Sequence, residues 1–446
     1  MRYFEGLGRI IPSEAALNLL GARFSNHCML PKIQDITWRG ASPEHLELML
    51  PLIVSPVLSS FWFGIARDHF NASQLVPAIE SLAPAYNSLV DIHITNSLIH
   101  DPLIIDAIST LLLKCNPGKL RHFHVRTTLS NEAFIHATQL PNLEVFFMKT
   151  GLDNEMELGA PLPRSTFPSL ELLEINAIDT TRSPLLRTIA DIQSKTFRRL
   201  KLEFPAEEWG TFVPAMLVAI HHSGSYQTLT KFCIRPEGRF DVDTAFIRPL
   251  LFLAQLTDLE IEILCGRQCP FKLSDEDIEE LVKAMPKLES LCLGSFPCSH
   301  PANNTIRSLM SIATHCKHLN ELVIHANVEA VIDEVSQRGS RGGDQTSGDP
   351  LSIFVECPVK SIIFGPCFIP DEARGATVFA ITLLRLFPRL IELGVSPPTL
   401  EGYPLWEMVE GLITTCRHIG ASIADVGKCA VSLPQRETRS CAASSC

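Results

Sequence analysis

The chain has no long hydrophobic run free of breakers. Its most apolar stretch, Leu46 to Ile65, is interrupted by Glu47, Pro51, Pro56 and several serines, so it reads as soluble structure and not as a membrane span. The N-terminal MRYFEGLGRIIPSEAALNLL places Glu5 where a secretory signal needs an unbroken apolar core. Positive charge is also in short supply: 38 Lys and Arg stand against 49 Asp and Glu, a formal net charge of −11. No basic run and no interleaving of basic with aromatic residues is there to follow a phosphate backbone, which argues against nucleic acid as a partner. The 14 cysteines lack paired CxxC spacing and many lie inside apolar stretches. They read as free thiols of a reducing compartment, cytoplasm or nucleus.

Catalytic signatures are missing as well. There is no phosphate-binding glycine loop, no HExxH and no GxSxG, so no enzyme activity and no cofactor are expected. Two clusters invite a metal reading: His315, Cys316, His318 and His325, and Cys265 and Cys269 with Cys292 and Cys298. Neither matches a standard zinc spacing, and both read as core thiols and solvated histidines, so no metal is expected. The pair His221-His222 reads as surface. The acidic run Asp275, Glu276, Asp277, Glu279 and Glu280 surrounds a helix start, where carboxylates complement the helix dipole, and is expected to be a solvated face.

What the chain does have is a recurring phrase: two large apolar residues three apart, then a third two residues on. It appears in MPKLESLCL (Leu288, Leu291, Leu293), CKHLNELVI (Leu319, Leu322, Ile324) and FPRLIELGV (Leu390, Leu393, Val395). The first apolar position of each phrase gives thirteen anchors: Ile33, Leu58, Leu89, Leu120, Leu143, Leu170, Phe197, Leu229, Leu256, Leu288, Leu319, Val359 and Leu390. They are 23 to 32 residues apart, except for 40 between Leu319 and Val359. The long interval holds SQRGSRGGDQTSGDP, a Gly/Ser-rich stretch that reads as a flexible insertion near 334–350.

Within a unit the hydrophobic period changes. Leu259, Ile261 and Ile263 alternate with Glu260 and Glu262, the period of a half-buried strand. Ile278, Leu281, Val282 and Met285, and likewise Ile306, Leu309, Met310 and Ala313, follow with helical spacing. Ser274 and Asp277 have capping-box spacing, and Asp101-Pro102 and Ser183-Pro184 each put a capping side chain before a proline at the first helical position. Pro141, Pro168, Pro286 and Pro388 each follow a helix and stop it. Strand then helix, repeated, predicts a parallel sheet beside a layer of helices. The intervals suit a leucine-rich-repeat-like α/β solenoid, an arc or horseshoe with the parallel sheet on the concave face and helices on the convex face.

The phrases LPKIQDITW, FPSLELLEI, LTDLEIEI, MPKLESLCLGS and CKHLNELVI resemble the irregular units of the leucine-rich-repeat part of fungal F-box proteins. That resemblance covers roughly residues 30–420. It implies a substrate receptor of a cullin-RING ubiquitin ligase, in which the repeats hold the protein to be ubiquitinated and the F-box docks on the ligase adaptor. Ile11-Pro12-Ser13-Glu14 resembles the start of an F-box helix, but the rest of the module is not evident. Residues 1–29 are therefore expected to form an incomplete repeat or cap, with a helix over Ser13 to Leu20, and adaptor binding is expected only if an F-box lies upstream. The alternative is a free-standing repeat binder or inhibitor with no ligase link. Residues 421–446 have no strand phrase and are expected to be a disordered tail.

Period-two alternation also names the side chains that should line the concave face and meet a protein partner. They are His122, His124 and Arg126; Arg199, Lys201 and Glu203; Lys231, Cys233 and Arg235; and Asp258, Glu260 and Glu262. A basic band beside an acidic one is expected to set partner specificity. Trp62 and Phe147 are expected to face outward as aromatic anchors.

Overall fold

Each of the thirteen anchors lies two residues ahead of a β-strand and is at most 1% exposed. The computed structural model describes residues 3–7, 14–24, 28–39, 43–64, 72–95, 101–150, 166–177, 189, 191–205, 209–223, 225–237, 241–263, 269–295, 302–327, 357–365, 373–395 and 403–419. Two compact units divide it, Met1–Pro270 and Phe271–Cys446. The predicted insertion and tail, together with Ser183-Pro184, lie outside the described residues.

The first unit holds strands β1 (Tyr3–Leu7), β2 (Asp35–Arg39), β3 (Ser60–Gly64), β4 (Asp91–Thr95), β5 (His122–Val125), β6 (Val145–Thr150), β7 (Leu172–Ala177), β8 (Arg199–Pro205), β9 (Lys231–Glu237) and β10 (Asp258–Ile263). They pair in chain order, every ladder parallel. Helices α1 (Glu14–Arg23), α2 (Pro43–Ile53), α3 (Ala72–Glu80), α4 (Pro102–Lys114), α5 (Asn131–Gln139), α6 (Trp209–Ser223) and α7 (Thr244–Ile247) lie between successive strands. Strand β1 is the one element the repeat phrase did not reveal. Its YFEGL has no anchor two residues ahead of it, yet it pairs with β2 from Tyr3↔Asp35 to Leu7↔Arg39.

The second unit repeats the plan with β11 (Ser290–Ser295), β12 (Glu321–Ile324), β13 (Ser361–Phe364) and β14 (Glu392–Val395), again parallel and in order. Its helices are α8 (Asp275–Ala284), α9 (Ile306–His315), α10 (Ala373–Leu386) and α11 (Tyr403–Ile419). Both units are thus open parallel α/β sheets. No helix among the described residues is long and apolar enough to cross a membrane.

The core follows from alternation. On β10, Leu259, Ile261 and Ile263 are buried while Asp258, Glu260 and Glu262 are half-exposed. Phenylalanines fill the space between sheet and helices in the first unit: Phe146 meets Phe123, Phe134 and Phe167 at centroid distances of 6.2, 6.1 and 5.5 Å. Phe167 holds a left-handed φ of 51° with its ring fully buried, so the packing of that ring outweighs a backbone cost of about 1–3 kcal/mol. In the second unit Phe364, Phe379 and Trp406 lie 5.6–5.9 Å apart and fasten α10 and α11 to β13.

Neighbouring units are also tied through the turn that carries the anchor. Val90 and Asp91 both donate to the Ser59 carbonyl, Arg121 and His122 to that of Val90, and Glu144 and Val145 to that of Arg121. Hydroxyls seal the anchors' own carbonyls: Ser55 donates to Ile33, Ser88 to Leu58 and Ser194 to Leu170, each at 2.7 Å.

Helix starts agree with the sequence where they are described. Asp101 accepts from Leu103 N at 3.0 Å ahead of Pro102, and Ser274 with Asp277 forms a reciprocal capping box. The acidic run around α8 needs correction, because two of its members turn inward. Asp277 is 8% exposed within the capping box. Asp275 accepts from Thr305 N and Oγ1 at 2.7 and 2.6 Å and from Ser308 N and Oγ at 3.1 and 2.5 Å, so it caps the next helix and joins two repeats. The reason is geometric: the starts of successive helices lie side by side, and the orphan N–H groups of one are within reach of a carboxylate on its neighbour.

Leu291 and Leu322 are buried and paired in register. Leu291→Ala or Leu322→Ala is expected to cost about 2–5 kcal/mol through the cavity left behind, while Glu321→Ala on the exposed face should stay within about 0.5 kcal/mol. Urea denaturation followed by circular dichroism checks this, and near-neutral leucine variants would show that the inward face has been misassigned.

Candidate binding surface

The sheet of the first unit has one face under helices and one open. In-register parallel pairing sorts the open-face side chains into rows, because equivalent residues of adjacent strands sit about 4.8 Å apart. The middle row runs Thr37, Trp62, His93, His124, Phe147, Glu174, Lys201, Cys233 and Glu260. Every open-face residue named from the sequence falls in one of these rows. The structure adds His93, Lys149, Glu174 and Asn176, all legible once the phrases are aligned on their anchors.

Four rings of the middle row lie in a continuous run, Trp62 tilted against His93 and the other three stacked. Trp62 lies 4.7 Å from His93, His93 3.9 Å from His124, and His124 3.9 Å from Phe147. Trp62 is 40% exposed and fits the role of an anchor. Phe147 does not. It shares the open face, but it is only 5% exposed, because His124 covers one side of its ring and Glu174 is its register partner on the other. Phe147 is the inner end of the stack, not a free anchor.

His124 pays for its place there: burial, followed by the charges of His93, Arg126 and Lys201, pushes its pKa down to about 3. Its Nε2 is buried with no hydrogen-bond partner among the described residues. One row away His122 has the opposite setting. Its Nδ1 pairs with Asp91, its Nε2 lies 3.5 Å from Glu144, and Arg121 holds the other Glu144 oxygen at 2.8 Å. The Asp91 carboxylate is the main reason the His122 pKa is raised.

The expected basic and acidic bands are present, and they engage each other. Lys201 Nζ reaches Glu174 at 2.6 Å and Glu203 at 3.1 Å, and Asn176 donates to Glu203 at 2.6 Å. Arg235 binds Glu260 at 2.6 Å and Glu262 at 3.2 Å, and Lys231 binds Asp258 at 2.8 Å. Burial works against the Lys201 charge, but Glu174 and then Glu203 more than offset it and hold the ammonium above its ordinary range. The two bands are therefore a largely self-neutralised ladder. Each exposed pair in it contributes only about 0–1 kcal/mol to stability. Three cations stand outside: Arg126, Lys149 and Arg199 have no carboxylate within 4.0 Å among the described residues.

The described cysteines of this face are protonated. Cys28, Cys115, Cys233, Cys316 and Cys357 are free thiols. Burial pushes the Cys115 and Cys316 thiols up to about 12 and raises Cys233, on the open face, with Glu260 adding to the effect. Thiols held protonated are unreactive. Among the described residues no group of three or more His, Cys, Asp or Glu is placed to hold a metal ion. Cys316 and His325 are buried, and Cys265 and Cys298 lie outside the described residues. His221 stacks on Phe252 and Tyr226 at 4.7 Å, away from the open-face rows.

The two histidines give opposite pH dependences. His124 has a folded pKa below its unfolded value of 6.5, so the unfolded chain takes up a proton that the folded chain refuses. Its contribution is present above about pH 6.5 and is lost as pH falls toward the folded value. His122 has a raised folded pKa, so its contribution is full below about pH 6.5 and is lost as pH rises through the folded value. Urea midpoints measured from about pH 8 to 5 should fall less steeply on the acid side in His124→Phe and less steeply on the alkaline side in His122→Asn. Unchanged profiles would mean that neither ring is held as described.

No protein-family model matches the chain, and no curated protein matches it.

Proposed function

We propose that this chain is a protein-recognition scaffold of the leucine-rich-repeat kind, working in the cytoplasm or nucleus, with the open sheet face as its binding surface. The observation that carries the reading is the row structure of that face. Nine successive strands, β2 to β10, present side chains in register without an intervening helix, so a partner meets a broad surface whose chemistry changes from aromatic to ionic along its length. Such a surface suits shape and side-chain recognition, whereas a catalytic site would bring a nucleophile, base and orienting group together. The free, protonated thiols support a reducing compartment.

The repeat phrases that resemble F-box receptors extend the proposal: the bound protein is a ubiquitination substrate, and the chain reaches a cullin-RING ligase through an adaptor. Affinity purification of the endogenous, full-length protein from cells with the proteasome inhibited tests both parts. Recovery of the ligase adaptor together with a ubiquitinated protein is the expected result. Recovery of a stable protein partner without adaptor would discard the ligase link and leave a free-standing binder or inhibitor. Reversing Arg199, Lys201, Lys231 and Arg235 to Glu together should weaken partner capture at least tenfold, since it opposes four new carboxylates to Glu174, Glu203, Asp258 and Glu260 and rewrites the ladder. The exposed positions should keep the melting temperature within a few degrees.

A further inference from the structure

Taking the scaffold reading as given, the chemistry of one half of the open face defines what it binds. Over strands β3 to β6 the middle row is the run Trp62, His93, His124 and Phe147, with Glu174 following on β7, and the row beside it carries the half-exposed apolar Val145 and Leu172. The row on the other side offers the small Gly64 and Thr95, followed by Arg126 and Lys149.

Two properties of this patch point the same way. Rings stacked on one another spend their faces on their neighbours and turn their edges outward, and the edge is the positive part of an aromatic quadrupole. Beside those edges stand Arg126 and Lys149, and next to Leu172 stands Arg199. Each lacks a carboxylate within 4.0 Å among the described residues, although Lys201, Lys231 and Arg235 on the adjoining strands are all paired. A chain with a net charge of −11 thus sets beside its aromatic run cations that have no carboxylate within 4.0 Å among the described residues. The carboxylates of this half, Asp91, Glu144 and Glu174, are already engaged by His122, Arg121 and Lys201, so the charges left over among the described residues are positive, and the exposed Trp62 with the half-exposed Val145 and Leu172 calls for an apolar companion.

We propose that this half of the open face binds an acidic polypeptide segment carrying a large apolar or aromatic side chain. The apolar group packs on Trp62, and the carboxylates lie along the ring edges toward Arg126 and Lys149. A single-stranded nucleic acid fits less well. Its bases need free ring faces, and each of the four rings here has at least one neighbouring ring against it, His93 and His124 having two.

A random peptide display library selected on the purified full chain tests this directly. The expected result is enrichment of peptides that are net negative and contain an aromatic or large aliphatic residue. Their affinity should fall with added salt and drop about tenfold or more in the double variant Arg126→Glu, Lys149→Glu. Both side chains are at the surface, so an unchanged melting temperature verifies folding, and Trp62→Phe against Trp62→Ser separates loss of the apolar anchor from loss of structure. Selected peptides that are basic or neutral, or acidic peptides indifferent to the double variant, would overturn the inference while leaving the scaffold reading in place. Failure to enrich any peptide would count against both. Competition of the selected peptides by a labelled uridine decamer would assign the patch to nucleic acid instead.

Discussion

Everything in this chain depends on in-register parallel pairing. Strands β2 to β14 each begin two residues after a buried anchor, and the turn residue between anchor and strand accepts two N–H groups from the next unit at Gln34 through Thr230 and at Glu289, Asn320 and Lys360, as Val90 does from Arg121 and His122. The anchor fixes where the strand starts, and the shared carbonyl fixes which residue opposes which. A slip of one residue would turn every inward side chain out. The same rule dictates the surface chemistry: a side chain on the open face has its equivalent on the next strand as its nearest neighbour, whether or not the two suit each other. Ring therefore faces ring along Trp62, His93, His124 and Phe147, and opposite charges meet across strands where register brings them together, as Glu174 with Lys201 and Glu203 with Arg235.

Much of this could be read from the sequence. The anchors, the position of thirteen strands, the capping of α4 and α8 and the sorting of residues onto the open face all come from short-range patterns, and a two-residue period says which way a strand residue points. What those patterns leave out is how equivalent residues interact across strands. Phe147 points to the open face as its parity requires, yet it is covered, because exposure depends on the size of His124 next door. The basic and acidic bands look like two patches in a list of residues and become one ladder only when Arg235 is seen between Glu203, Glu260 and Glu262. Asp275 shows the same limit on the helical side. Its place at a helix start suggests solvent, and only the adjacent helix start shows that it has hydrogen bonds to make there. Strand β1 stayed hidden for a simpler reason, since it has no anchor phrase of its own.

Repetition also distributes stability. The large rings in the first unit touch across two or three repeats and no further, as Phe146 does with Phe123, Phe134 and Phe167. Cohesion of this kind is the sum of neighbour contacts. A lost methylene group in one repeat is felt by the repeats on either side, and the polar links from Ser55, Ser88 and Ser194 matter because they join the same neighbours through groups that would otherwise be buried without a partner.

The self-neutralised ladder on β7 to β10 bears on how a partner is met in time. At physiological ionic strength charges separated by more than about 8 Å are screened, and pairing within 4.0 Å weakens the field of the ladder further. Its pattern becomes legible only on contact, when a wrong neighbour leaves one member of a pair without its partner, and the penalty appears as a shorter residence. Under the proposed recognition role, the cations by the aromatic run, with no carboxylate within 4.0 Å among the described residues, would act earlier, during approach, so the two halves of the open face would divide the work by stage: one sets how often an encounter occurs, the other how long it lasts.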